Sequence, residues 1–203
     1  MKKTIIGLLA AALGGVAAAA GPTCSDKAQR DCSPAKGQIS LQVPGVKFTD
    51  KRIDPKAPGL ESYAKFRKLA LEIANAYGYD ARLSVDDELS ELIRIRVAMV
   101  NQCSFCITLH TSVARERKIN DARIADLASW WESDLYTPRE KAALAYTDAL
   151  NEGKVENFAS AHAQAAKYFS PGEVGDLAAN VINMVMFTRI FLAQGTTPQL
   201  VTN

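Results

Sequence analysis

The chain has 203 residues, 48% of them hydrophobic, so it can bury the core of one domain and is not a disordered polypeptide. Its 24 basic residues exceed its 22 acidic ones only by two lysines near the start, in a segment we expect to be removed. The remaining charge is balanced and interspersed, as on an ordinary solvated surface. We therefore expect neither nucleic acid nor a membrane as a partner of the mature protein.

The first 20 residues differ from the rest. Two lysines precede an uncharged, Ala-rich run from Ile5 to Ala20, and small residues stand before Gly21. This pattern is typical of a cleaved secretory signal peptide, so residues 1–20 predict a periplasmic or secreted protein. A retained membrane anchor is less favoured because the run is short and weakly hydrophobic. Lipid attachment at Cys24 is less favoured because a proline and a threonine precede it.

Residues 21–58 are predicted to form an extended N-terminal arm that is polar and contains proline and glycine. One short extended segment is expected over residues 39–48. Cys24 and Cys32 lie in this arm, and export makes a local structural disulfide between them the preferred interpretation. A redox tail that exchanges with the cysteines further along is the alternative.

Residues 59–203 are predicted to form an all-α domain, because apolar residues recur there at helical spacing. Two capping boxes with proline at the first helical position open helices at Thr137 and Ser170. The last predicted helix is apolar on most of its circumference, so it is central or covered by a partner subunit. The predicted helices span residues 61–79, 86–101, 103–118, 120–131, 157–168 and 170–193, with one more opening at 137. No alternating strand pattern and no glycine-rich phosphate loop is found in the sequence.

The chemistry is expected at a C-x-x-C pair, Cys103 and Cys106, followed by His110. In a helix, Cys106 lies about 60° and His110 about 20° from Cys103, so the three side chains share one face. The free amide hydrogens at a helix start stabilise a thiolate. His110, four residues after Cys106, can accept the thiol proton or hold the thiolate by charge. The spacing therefore predicts a redox-capable thiol site.

Glu91 lies one helix earlier, and spacing alone does not bring it to the cysteines. The default expectation is a surface glutamate paired with Arg94 at i+3, and the alternative is a general base or an orienting group for the histidine. Zinc is disfavoured because a structural site usually takes four ligands and His162 stands apart from the cysteines in sequence. We expect no metal and no cofactor. A structural disulfide explains the pair but leaves the position of His110 to chance.

The stretch Glu91-Leu-Ile-Arg, a helix of small and apolar residues, and then Asn101-Gln-Cys103-Ser-Phe-Cys106-Ile-Thr-Leu-His110 resembles the carboxymuconolactone decarboxylase/AhpD-like superfamily, the alkylhydroperoxidase D group in particular. The core of the resemblance covers residues 83–119. It implies an all-α fold whose helices pack into dimers, often assembled further, and hence a homo-oligomer.

The resemblance also implies a thiol peroxidase. Cys106 would be the peroxidatic thiolate, Cys103 would resolve its sulfenic acid as a disulfide, and Glu91 and His110 would form the proton relay. The implied partners are a hydroperoxide substrate and an unidentified dithiol reductant. Phe105 stands where better-known members carry a second histidine. Export also separates this chain from the lipoyl-type reductant of cytosolic members.

Three other functions remain open from the sequence. A thiol–disulfide oxidoreductase would use the same pair without peroxide. A lactone decarboxylase is disfavoured because decarboxylases of this superfamily do not rely on a C-x-x-C pair. A non-enzymatic helical scaffold would use the pair only as a structural disulfide.

Overall fold

A computed structural model describes residues 42–77 and 83–201 of the chain. The predictions for the leader, for Cys24 and Cys32, and for most of the N-terminal arm lie outside these residues. The described part is mostly helical with one two-stranded sheet, which confirms the predicted all-α fold. Its helices are α1 Glu61–Tyr77, α2 Asp87–Val100, α3 Ser104–Glu116, α4 Asp121–Asp126, α5 Pro138–Glu152, α6 Val155–Ala165 and α7 Pro171–Gln194. The strands are β1 Val46–Thr49 and β2 Thr197–Leu200.

Local capping signals open the helices where the sequence places them. The side chain of Asn120 accepts the backbone N–H of Ala122 at the start of α4. Both capping boxes are complete: the hydroxyl of Thr137 or Ser170 accepts the backbone N–H of the glutamate three residues on, and that carboxylate accepts the cap's own N–H. These motifs satisfy donors that a helix start leaves without internal partners.

The fourth helix is shorter than predicted. It ends at Asp126 and continues as a 3₁₀ turn over Leu127–Ser129. The hydroxyl of Ser129 lies 3.2 Å from a carboxylate oxygen of Asp126, a side-chain bond that favours a tight turn over another helical turn. The sixth helix lies earlier than predicted, at Val155–Ala165.

The small sheet pairs the two ends of the described chain. β1 runs antiparallel to β2, with Val46 opposite Leu200 and Thr49 opposite Thr197. Of the segment expected to be extended over residues 39–48, residues 42–48 are described, and within them the strand begins at residue 46. The C-terminal strand is not predicted at all. Four residues with a proline carry no alternation signal, so only pairing with β1 makes them a strand.

Helix α2 is the centre of the domain and packs against α3, α5 and α7. Nine of its 14 residues are buried, because it faces two apolar clusters. Leu89, Ile93 and Val97 enter the cluster that contains both cysteines, whereas Leu92 and Ile95 enter the other. Any polar side chain on the buried face of α2 must therefore find its partner inside the protein.

Helix α7 has the central position that its apolar composition predicts. Leu177, Val181 and Met184 are buried where α7 packs with α1, α2 and α5. Among the described helices, α7 is the one long and apolar enough to cross a membrane by length and composition. Its contacts within the domain account for much of that apolar surface. Ile182 nevertheless stays exposed.

Helix α1 has an apolar face without a partner in the chain as described. Phe66, Leu69 and Ile73 recur at helical spacing, and about half of each side chain is exposed. Among the α1 residues whose burial is described, 61–74, Ala70 is the one that is fully buried, on the side toward α7.

Candidate redox site

The turn between α2 and α3 sets the position of the first cysteine. The backbone N–H of Gln102 donates to the carbonyl of Met99, and the N–H of Cys103 donates to the carbonyl of Ala98, both at 3.0 Å. These are the two bonds of a Schellman motif, with Asn101 as the C-cap of α2. Gln102 takes the left-handed conformation, with φ 55°, that glycine usually supplies. The end of α2 therefore fixes Cys103 by its own N–H.

Cys103 is also the N-cap of α3. Its backbone is extended, and its sulfur accepts the N–H of Cys106 at 3.4 Å. The two cysteines are bonded as a disulfide, with their Cα atoms 5.3 Å apart. Both side chains are only 1% exposed. The sulfurs thus lie at a helix start, where amide hydrogens and the helix dipole favour negative charge on a thiolate.

Glu91 is fully buried, so the expectation of a surface glutamate is wrong. Its Oε1 lies 2.6 Å from Nδ1 of His110, across the contact between α2 and α3. Its Oε2 accepts a hydrogen bond from Nη1 of Arg94 at 2.9 Å, so the expected i+3 pair exists, but inside the protein. Nη1 of Arg117 lies 3.9 Å from the same oxygen. The carboxylate can stay buried because the basic groups around it, on α2, on α3 and at the end of α3, balance its charge.

These contacts decide the protonation of Glu91. Burial by itself raises the pKa of this carboxyl, but the charge and hydrogen bond of His110, followed by those of Arg94, outweigh it. The pKa of Glu91 is therefore lowered, and the group is ionised at neutral pH. An ionised carboxylate only accepts hydrogen bonds, so Nδ1 of His110 must donate. In a neutral imidazole, Nε2 is then left as the proton acceptor.

The predicted site residues thus form two bonded pairs on adjacent elements. Glu91 and His110 are joined directly, and Cys103 and Cys106 are joined covalently. His110 follows Cys106 by four residues on α3, so the two side chains lie on one face of the helix, one turn apart. The carboxylate of Glu91 therefore holds an imidazole on the helix face that also carries Cys106.

Phe105, between the two cysteines, is part of an apolar cover. Its ring centroid lies 3.8 Å from that of Phe191 on α7 and 4.5 Å, edge-on, from that of Phe48 on β1. The same apolar cluster contains both cysteines. The position that carries a second histidine in better-known relatives therefore packs against the small sheet and α7 here.

The sequence did not single out Arg94 and Arg117 as part of the site. The only signal for Arg94 was that a buried helix carries a charged residue, which cannot be read before the burial of α2 is known. Arg117 lies at the C-cap of α3 and carried no such signal. His162 lies elsewhere on an exposed position of α6, with its ring centroid 6.1 Å from those of Tyr146 and Phe158.

The sequence comparisons point to one family. Residues 68–149 match the carboxymuconolactone decarboxylase family. The chain is 44% identical over 72 residues to the uncharacterized protein YdfG of Bacillus subtilis (strain 168), covering 36% of this chain and 49% of that protein. It is 28% identical over 70 residues to the uncharacterized protein YnjA of Escherichia coli (strain K12), covering 34% and 38%. The chain thus spans half or less of the length of these curated relatives.

Solved structures share the fold. A protein of unknown function from Agrobacterium tumefaciens, linked to AhpD and antioxidant defence, matches with a TM-score of 0.63 and 19% identity over 73% of this chain and 99% of that one. A peroxidase-related protein from Silicibacter sp. TM1040 matches with a TM-score of 0.56 and 14% identity over 80% and 96%. The debrominase Bmp8 matches with a TM-score of 0.57 and 20% identity over 68% and 74%. Residues 68–149 are thus similar to the carboxymuconolactone decarboxylase family, and the described fold is shared with a structure linked to AhpD.

Proposed function

We propose that the protein is a thiol-dependent peroxidase that reduces hydroperoxides through a dithiol–disulfide cycle of Cys103 and Cys106. The observation that carries this proposal is the buried Glu91–His110 pair, one helical turn from the C-x-x-C pair. Burying a carboxylate is costly unless it is fully paired. A purely structural disulfide needs no such pair beside it, whereas thiol chemistry needs a proton acceptor there.

The proton steps follow from the geometry. In the reduced protein, Glu91 holds Nδ1–H of His110, so Nε2 can take the thiol proton of Cys106. The imidazolium that forms is stabilised by the buried carboxylate. The start of α3 stabilises the thiolate at the same time.

The sulfur of Cys106 then attacks one peroxide oxygen. An S–O bond forms, the O–O bond breaks, and the leaving alkoxide takes a proton from His110 to become an alcohol. The thiol of Cys103 attacks the resulting sulfenic acid, so an S–S bond forms, the S–O bond breaks, and water leaves. An external dithiol supplies two electrons and two protons and becomes a disulfide itself.

The thiol–disulfide oxidoreductase alternative uses the same pair. The 1% exposure of both cysteines favours a small oxidant such as a hydroperoxide over a protein disulfide, which needs open access to a sulfur. The decarboxylase and scaffold alternatives have no use for a proton acceptor beside a thiol.

The setting of the reaction is also a proposal. We propose that the protein acts as a homo-oligomer in the periplasm or outside the cell, with a reductant that is not the lipoyl type of cytosolic relatives. The half-exposed apolar face of α1 is a candidate contact between copies.

Peroxide consumption by the purified protein with a supplied synthetic dithiol tests the function. We expect Cys106→Ser to abolish consumption and Cys103→Ser to leave a trappable sulfenic acid on Cys106. The matched control is the Cys24→Ser/Cys32→Ser double variant, which should keep its activity. Consumption that survives Cys106→Ser would contradict the proposal, and disulfide exchange without any peroxide turnover would favour the oxidoreductase.

A further inference from the structure

The guanidinium of Arg94 is one of the few charged groups inside this domain. Its side chain is 5% exposed, and it lies on α2 one turn after Glu91. A buried cation is costly unless its charge is matched, and the carboxylate of Glu91 matches it at 2.9 Å. Along α2, Arg94 stands between the Glu91–His110 contact and the Ala98–Cys103 bond, two of the points that join α2 to α3 or its caps.

The two oxygens of Glu91 have different partners. Oε2 accepts from Arg94, and Oε1 binds Nδ1 of His110. Arg117 is further away, at 3.9 Å from Oε2, and its Nη1 donates instead to the carbonyl of Asp87. Arg94 therefore fixes the rotation of the carboxylate and leaves Oε1 for the imidazole.

We propose that Arg94 is a positioning residue that sets the tautomer of His110 through Glu91 and thereby the reactivity of the Cys106 thiol. This inference deepens the proposed thiol function and rests on it. Arg94 acts only through the carboxylate and touches neither sulfur nor substrate in this scheme.

The consequence of losing Arg94 follows from burial. Without this cation, desolvation favours the neutral form of Glu91. A protonated carboxyl can donate to Nδ1 of His110, and the imidazole then carries its hydrogen on Nε2 and cannot take the thiol proton. The thiol of Cys106 would ionise only at higher pH.

Other charges near α2 are engaged elsewhere. Along α3 and its two caps, the other charged or titratable groups near the Glu91–His110 pair are Arg117 and the two cysteines. The further contacts on or next to α2 are those of Arg123 of α4 with Glu88, Arg139 of α5 with Asp86, Asp148 of α5 with Arg96, and Asn180 of α7 with the carbonyl of Ser90. These partners belong to other residues of α2 or its cap. Of the two cations at the second oxygen of Glu91, Arg94 at 2.9 Å is nearer than Arg117 at 3.9 Å.

The test measures thiol reactivity without peroxide. In a Cys24→Ser/Cys32→Ser/Cys103→Ser background, the rate of Cys106 alkylation by iodoacetamide is followed against pH. We expect Arg94→Met to raise the midpoint by about one pH unit, which is about tenfold slower alkylation at pH values below the midpoint. Arg94→Lys should recover part of the shift. The matched control Arg96→Met, which removes an ion pair with Asp148 on the same helix, should leave the midpoint unchanged.

A folded Arg94→Met protein with the midpoint of the parent would overturn the inference. If Arg94→Met does not fold, ¹⁵N NMR of His110 in the parent and in Arg94→Lys decides it: hydrogen on Nδ1 in the parent is expected, and hydrogen on Nε2 overturns it. A parent that consumes no peroxide but shows the Arg94-dependent midpoint would contradict the peroxidase function alone.

Discussion

At the scale of single residues, the proposed thiol chemistry depends on the buried carboxylate of Glu91. It accepts hydrogen bonds from groups on both helices of the α2–α3 hairpin, His110 on one side and Arg94 on the other. The spacing of the sequence could place the cysteines and His110 on one face, because that is a property of one helix. It could not place Glu91, because its position depends on the antiparallel packing of two helices.

Replacing Glu91 with glutamine tests this account of the carboxylate. Gln has nearly the same shape but no charge, so His110 loses the anion that stabilises its imidazolium and Arg94 loses its ion pair with Glu91. We expect peroxide turnover to fall on the order of 10²-fold and the free energy of unfolding to fall by about 3 kcal/mol. Steady-state kinetics and denaturant melts measure the two effects separately. If the variant turns over peroxide at the parental rate, Glu91 is not part of the proton relay.

The pKa of Glu91 also predicts the acid limit of stability. The folded protein lowers this pKa below its ordinary value of 4.5, as it does for the capping-box glutamates Glu140 and Glu173. A lowered folded pKa contributes stability that is complete above the unfolded value and is lost as pH falls through the folded one. We expect the midpoint of urea unfolding to drop below about pH 4.5 and to drop less steeply in Glu91→Gln. If the urea midpoint falls equally steeply with pH in both proteins, Glu91 is not the origin of the acid limit.

At the scale of elements, local sequence signals predicted the helix starts that local hydrogen bonds produce. The capping boxes at Thr137 and Ser170 open α5 and α7 where the sequence placed them, because each box is complete within four residues. The strand β2 depends on pairing with β1, which is distant in sequence, so it was not predicted. The packing of Phe105 against β1 and α7 also depends on residues distant in sequence, since β1 and α7 come from opposite ends of the domain.

The turn at Gln102 gives a prediction for the α2–α3 hairpin. A non-glycine residue at φ 55° carries a backbone cost that glycine avoids. The side chain of Gln102 is exposed, so little packing is lost with it. We expect Gln102→Gly to raise the free energy of unfolding by about 1 kcal/mol and to leave the Cys103/Cys106 chemistry intact. Gln102→Ala is the control, since alanine keeps the backbone cost, and equal melts for the two variants would count against strain at this turn.

At the scale of the whole molecule, one domain presents a protected redox pair and an uncovered apolar helix face. The two core clusters meet at α2, and one of them contains both cysteines. The exposed apolar residues of α1 have the spacing of a packing face that the chain itself does not cover.

The proposed homo-oligomer can be tested at that face. A charge placed among apolar side chains at an interface costs desolvation that the complex cannot recover. We expect Leu69→Glu to lower the molar mass measured by sedimentation, with the fold retained in circular dichroism. Lys68→Glu, on the same helix, is the control that should not change the assembly. An unchanged mass for Leu69→Glu would assign the contact to another surface.

The central claim is that Cys106 is oxidised directly by peroxide. The measurement is mass spectrometry of a Cys103→Ser protein after reduction and addition of an equimolar hydroperoxide, with a dimedone trap. We expect Cys106 to gain one oxygen as a sulfenic acid, which dimedone then converts to a thioether adduct. We expect strong loss of that adduct in the same protein carrying Glu91→Gln. A Cys106 thiol that stays unmodified under these conditions, in a protein that is otherwise folded, would contradict the account.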